Sequence, residues 1–113
     1  MNTTLRQQDD ETFGSFLIET IADLYNVSAY PSLIGREVYR ATRCGASVQF
    51  DEEGIVVGTI VEDIKAEYSQ RIDLSDIEAD ERGAAILAER FFAAIEACED
   101  FADAILAMVE EEV

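Results

Sequence analysis

Histidine is absent from this chain, proline occurs once, at Pro31, and cysteine twice, at Cys44 and Cys98. Each shortage excludes something. Without His the commonest general base and the commonest metal ligand are missing, and two distant Cys do not make a zinc site. Cys44 and Cys98 fall in different elements, so reduced thiols are the expectation rather than a disulfide. No apolar run approaches the roughly 20 residues of a membrane helix. The stretch from Met1 to Gln8 lacks the apolar core of a signal peptide, which points to a cytoplasmic protein without membrane contact. Neither a phosphate-binding loop, a dinucleotide loop nor a nucleophile elbow occurs, so an enzyme is not expected.

Positive charge is the other scarcity. Eight Lys+Arg stand against 25 Asp+Glu, a formal net of −17 in 113 residues. Residues 1–43 hold six acids and four bases, whereas residues 44–113 hold nineteen acids and four bases. Such a field repels nucleic acid and attracts basic surfaces. Apolar residues still make up 49%, which suits one folded domain over 1–113 rather than a disordered acidic tail.

The pattern along the chain predicts an α+β fold. A first helix is expected from Asp9 or Asp10, with Phe13, Phe16, Leu17, Ile21 and Leu24 as its apolar stripe. Pro31-Ser32 opens a second helical segment, with Ser32 as cap and an end near Gly45. Val48 and Phe50 alternate with polar residues. Asp51-Glu52-Glu53-Gly54 reads as a turn, and Ile55 to Val61 as a β-branched central strand. Gly58 within that strand predicts a bulge or a close backbone approach. Ala66, Tyr68, Gln70, Ile72 and Leu74 share one face of a third strand, giving a three-stranded antiparallel meander with one wet face. Ser75-Asp76-Ile77-Glu78 fits a capping box. From there Ala84, Leu87, Phe91, Ile95, Cys98, Ala102, Ile105 and Val109 make one long stripe. A helix over residues 76–111 would be about 54 Å long, against about 23 Å for seven-residue strands. The expectation is a break near Glu99-Asp100; the alternative is an end that projects and packs on a partner.

Function is sought in the surface. Glu89, Glu96, Asp100, Asp103 and Glu110 share one helix face opposite Phe91, Ile95 and Cys98, supplemented by Glu99, Glu111 and Glu112. Residues 76–112 carry twelve acids and only Arg82 and Arg90 as bases, whereas a solvated helix face normally mixes signs. A carboxylate row at helical spacing resembles a sparse line of phosphates. Asp51, Glu52, Glu53, Glu62 and Asp63, in the turns at the two ends of the central strand, extend that surface or serve turn chemistry and solubility. Arg36, Arg40 and Arg43 would share a helix face and are expected to form internal salt bridges or to order an acidic neighbour. Asp76, Glu78 and Asp80 imitate odd positions of a calcium loop, but Glu81 stands where Gly is required and Leu87 where Glu is required. No metal or cofactor is expected.

A small acidic α+β domain without catalytic motifs resembles the inhibitors carried by phages and mobile elements, among them DNA-mimic restriction inhibitors and several anti-CRISPR proteins. Cys44-Gly45-Ala46, Gly58-Thr59-Ile60-Val61-Glu62 and Ala66-Glu67 are similar to stretches of phage-associated proteins. The resemblance implies a partner rather than a substrate: the basic nucleic-acid channel of a defence complex, a CRISPR effector foremost, blocked without any direct binding of nucleic acid. Two other readings stand beside it. One is an adaptor or homodimer seam through the last helix, with Phe92, Phe101 and Met108 exposed. The other is an ordinary halophilic domain, against which the uneven spread of acids argues.

Overall fold

The computed structural model describes the backbone of residues 2–51 and 54–112 and the side chains of residues 13–51 and 54–111. The expected α+β architecture is present: α1 (Asn2–Leu24), α2 (Pro31–Ala41), β1 (Ser47–Asp51), β2 (Gly54–Val61), β3 (Ala66–Arg71) and α3 (Glu81–Glu112). α1 begins well before Asp9. Residues 3–8 contain neither Gly nor Pro, so no local breaker stops the helix short of the two aspartates.

α2 also differs from the expectation at both ends. Tyr30, extended at φ −118° and ψ 127°, occupies the cap position, and Pro31 rather than Ser32 opens the helix. Pro suits that place because its missing N–H would have no intrahelical partner there. The helix stops at Ala41, not near Gly45. Thr42 is extended, and its Oγ1 donates to the Val38 carbonyl at 3.0 Å and accepts from the Ala46 N–H at 2.8 Å. This single β-branched residue closes the helix and aims the chain into β1. Arg43 therefore leaves the face shared by Arg36 and Arg40.

The sheet is an antiparallel meander in the order β1-β2-β3. Ile55, Val57, Thr59 and Val61 point to the helices and are buried. Val56, Gly58 and Ile60 point the other way, and Ile60 is exposed. Gly58 shows the close approach rather than the bulge: a Cβ there would sit 3.1 Å from the Tyr68 carbonyl oxygen and 3.2 Å from Ser69 Cβ. Gly54 takes φ +132°, which favours glycine. The third strand ends at Arg71, although Ile72 still donates its N–H to the Ile55 carbonyl.

Two expectations about α3 fail. Ser75 does not cap it: Ser75 gives both its N–H and its hydroxyl to Asp73 Oδ1, at 3.0 and 2.8 Å. The helix starts five residues beyond Asp76, at Glu81. Asp80 is its cap, accepting from the Gly83 N–H at 2.7 Å. The intervening turn drives Ile77 into the core, a burial worth about 2 kcal/mol that competes with the earlier helix start. Nor does α3 break at Glu99-Asp100. It runs unbroken for 32 residues, about 48 Å, along a molecule of 63 × 26 × 22 Å. Nothing in residues 84–113 is Gly or Pro. Its stripe packs on the sheet through Leu87, Phe91, Ala94, Ile95, Cys98 and Ala102. Tyr25 meets Phe91 edge-on at 6.2 Å, and Phe101 stacks on Tyr68 at 5.4 Å.

Candidate acidic interface

The acids divide into those held by a base and those turned outward. Arg43, at the corner between α2 and β1, reaches across to α3. Its backbone N–H donates to Glu99 Oε2 at 3.0 Å, its Nε reaches the same oxygen at 3.4 Å, and its Nη2 lies 3.1 Å from Asp103 Oδ2. Arg90 forks onto Asp76 at 2.7 and 2.9 Å and also donates to the Asp73 carbonyl at 2.8 Å. Arg71 forks onto Asp51 at 2.9 Å through each nitrogen. Arg40 meets Glu37 at 3.5 Å, and Arg36 is exposed.

These contacts leave their mark on titration. The Arg90 guanidinium holds Asp76 below the usual carboxylate range, and the two donors of Ser75 do the same for Asp73. The hydrogen bond to Glu99, then the charges of Asp103 and Glu99, push Arg43 up. Burial, reinforced by the nearby Cys44 and Glu99, pushes the Cys98 thiol up to about 11. Tyr25 is raised by burial and by Glu99.

Of the carboxylates expected to form the row, Glu89, Glu96, Asp100, Asp103 and Glu110 are all exposed on α3. From Glu89 to Glu110 they span about 32 Å of a continuous helix. Glu99 does not belong to that outer line: its side chain is half-buried against Arg43, and Asp103 is shared between the line and the clamp. Asp51 lies on the open sheet face, apart from α3 and engaged with Arg71. Glu62 and Asp63 are exposed in the turn before Lys65. Glu52 and Glu53 lie outside the described residues, as does the side chain of Glu112.

One property of the row was not read from the sequence. The exposed positions between its acids on the outer face include Ala93, Ala104 and Ala107, with Phe92, 47% exposed, nearer the start, and no Lys or Arg follows Arg90 on the helix. The face is thus negative and, beyond the exposed Phe92, short in side chain, and the counter-charge on its second half comes from Arg43, against Asp103. Marking every outward α3 position, rather than the acids alone, would have revealed it. Arg43's clamp had a weaker signal, since the Arg group was expected to pair internally but its partners lie 56 and 60 residues away.

Among the described residues no group of three or more His, Cys, Asp or Glu is placed to hold a metal ion. No helix there is long and apolar enough to cross a membrane. An open depression of about 280 Å³ beside the α3 cap is lined by Asp76, Glu78, Asp80 and Arg82 among others; Arg82 brings a positive charge to the place where the calcium-like spacing falls. No protein-family model, curated protein or solved structure matches the chain.

Proposed function

We propose that this protein is an acidic inhibitor that occupies a basic nucleic-acid-binding groove of a defence complex, a CRISPR effector first among them, inside a bacterial cell. The supporting observation is the outer face of α3: one unbroken helix carrying Glu89, Glu96, Asp100 and Glu110 outward, with Phe92 exposed after the first acid, Ala93, Ala104 and Ala107 exposed further on, and no base of the helix beyond Arg90. A continuous negative edge about 32 Å long can lie along a groove where scattered acids could not. Beyond Phe92, the exposed Ala93, Ala104 and Ala107 allow close approach. The acids are sparser than the phosphates of one strand, at about 3.4 Å each, so the row competes for the groove's charge without copying a duplex. The action is occupancy and needs no catalytic group.

Association should be fast and should weaken with salt. The test is a titration of the protein against an effector–guide complex bound to labelled target DNA, followed by anisotropy. Displacement is expected in wild type. It should be lost in the fourfold variant Glu89→Lys, Glu96→Lys, Asp100→Lys and Glu110→Lys. Asp103 is left intact because it holds Arg43. Undiminished DNA binding at large excess of inhibitor rejects the reading for that complex, and displacement that survives the four substitutions rejects the row as its contact surface.

A further inference from the structure

The outer row does not account for the last turns of α3. From Ala104 to Glu111 the helix carries an apolar arc as well as acids. At 100° per residue Met108, Ile105, Val109 and Leu106 cover about 160° of its circumference. Ile105 and Val109, at the centre of that arc, are half-buried, whereas the flanks are open: Met108 is 60% and Leu106 44% exposed. Single exposed apolar residues are ordinary. Two on opposite flanks of one helix end, contiguous with a half-covered Ile and Val, form a surface.

Charge decides what fits it. The arc is bordered by Asp103, Glu110 and Glu111, and no base lies on α3 after Arg90. A second copy would bring the same acids against these, on top of −17 meeting −17. A lipid or nucleic-acid surface of negative charge is repelled likewise. We infer that the end of α3 docks into a protein surface that combines an apolar seat with a rim of Lys and Arg, the helix-in-groove mode with its charges placed on the partner. The inference rests on the reading of the protein as a ligand of basic grooves and adds that the groove has an apolar floor near one end. The acids set encounter and orientation, and Leu106 and Met108 slow release.

The test uses two labelled peptides of equal charge, an amphipathic Leu/Lys helix and polylysine, titrated with the intact protein in about 0.15 M salt. The Leu/Lys helix should bind about ten-fold more tightly, the size expected from partial burial of two apolar side chains. The double variant Leu106→Ser/Met108→Ser should lose that preference while still binding polylysine. Met108→Gln alone, at the most exposed position of the arc, should reduce the preference if the double variant folds poorly. The variant Glu89→Gln/Glu96→Gln/Asp100→Asn/Glu110→Gln should weaken both peptides alike. Equal affinity of the wild type for the two peptides, or a preference untouched by the Leu106 and Met108 changes, overturns the inference. So does self-association that grows with salt and is abolished by Leu106→Ser/Met108→Ser, which would give the surface to a second copy. Because no nucleic acid enters this measurement, its outcome is separable from failure of the DNA displacement.

Discussion

Between Leu87 and Ala102, α3 buries at least one side chain per turn, whereas from Ala104 to Glu111 every side chain is exposed or only half-buried. The same helix thus does two jobs in sequence. Its first part is the lid of the core, closed at the start by Asp80 and tied down by Arg90 and Arg43. Its last part carries no base and extends the apolar stripe past what the sheet can cover. Periodicity alone does not separate these parts, because the stripe that builds the core and the stripe left over have the same spacing.

The comparison breaks most directly by truncation. Phe91→Ala should lower unfolding free energy by about 3–5 kcal/mol, while Met108→Ala should stay within about 0.5 kcal/mol, both read by urea denaturation. Similar losses would mean that the end of α3 is as much part of the core as its middle. Alkali probes the lid from a second direction. The folded Cys98 thiol titrates at about 11 against 9.0 for a free thiol, so its contribution is intact below pH 9 and is lost as pH rises toward about 11. Tyr25, also raised, adds to the decline above pH 10. Cys98→Ala should flatten the part of the stability profile between 9 and 10.

Acid gives a smaller effect with the opposite sense. Asp73 and Asp76 are held below 3.8 in the folded state. Their contribution is present above that value and fades as pH falls through the depressed values. Arg90→Gln should remove most of the Asp76 part, seen as a shallower acid limb in thermal melts at pH 2–5. Smallest is the response of the outer row to neutralisation. Glu96→Gln with Asp100→Asn relieves a like-charge pair one turn apart and should raise stability by roughly a few tenths of a kcal/mol, with the gain vanishing in high salt. A loss instead would mean that the attraction between Asp100 and Arg43 outweighs the repulsion relieved.

The meander was legible because alternation in Val48–Phe50 and the β-branched run from Ile55 to Val61 have a period only a strand satisfies, and Gly54 and Gly58 carried their reasons with them. Helix limits were less so. Ser75 and Asp80 are both competent caps in local terms, and the choice falls to Asp80 through the burial of Ile77 and the Asp73–Ser75 turn, which are tertiary facts. The expected break at Glu99-Asp100 rested on a mismatch of lengths, which the molecule leaves standing by letting the helix overshoot. In the candidate site the row itself was visible at helical spacing. The removal of Glu99 from it was not, because the cause is an arginine from the other half of the chain.

The fork between Arg71 and Asp51 has a consequence apart from its charge. The two residues sit on β3 and β1, on either side of β2, at positions paired with Val56 and Gly54. Surface pairs contribute little free energy, yet this one can close only in a single alignment of three strands. A slip of one residue by either outer strand would turn a partner to the helix side, and a slip of two would carry it about 7 Å away. It therefore marks the correct register on the open face, as the burial of Ile55, Val57 and Val61 marks it on the helix side.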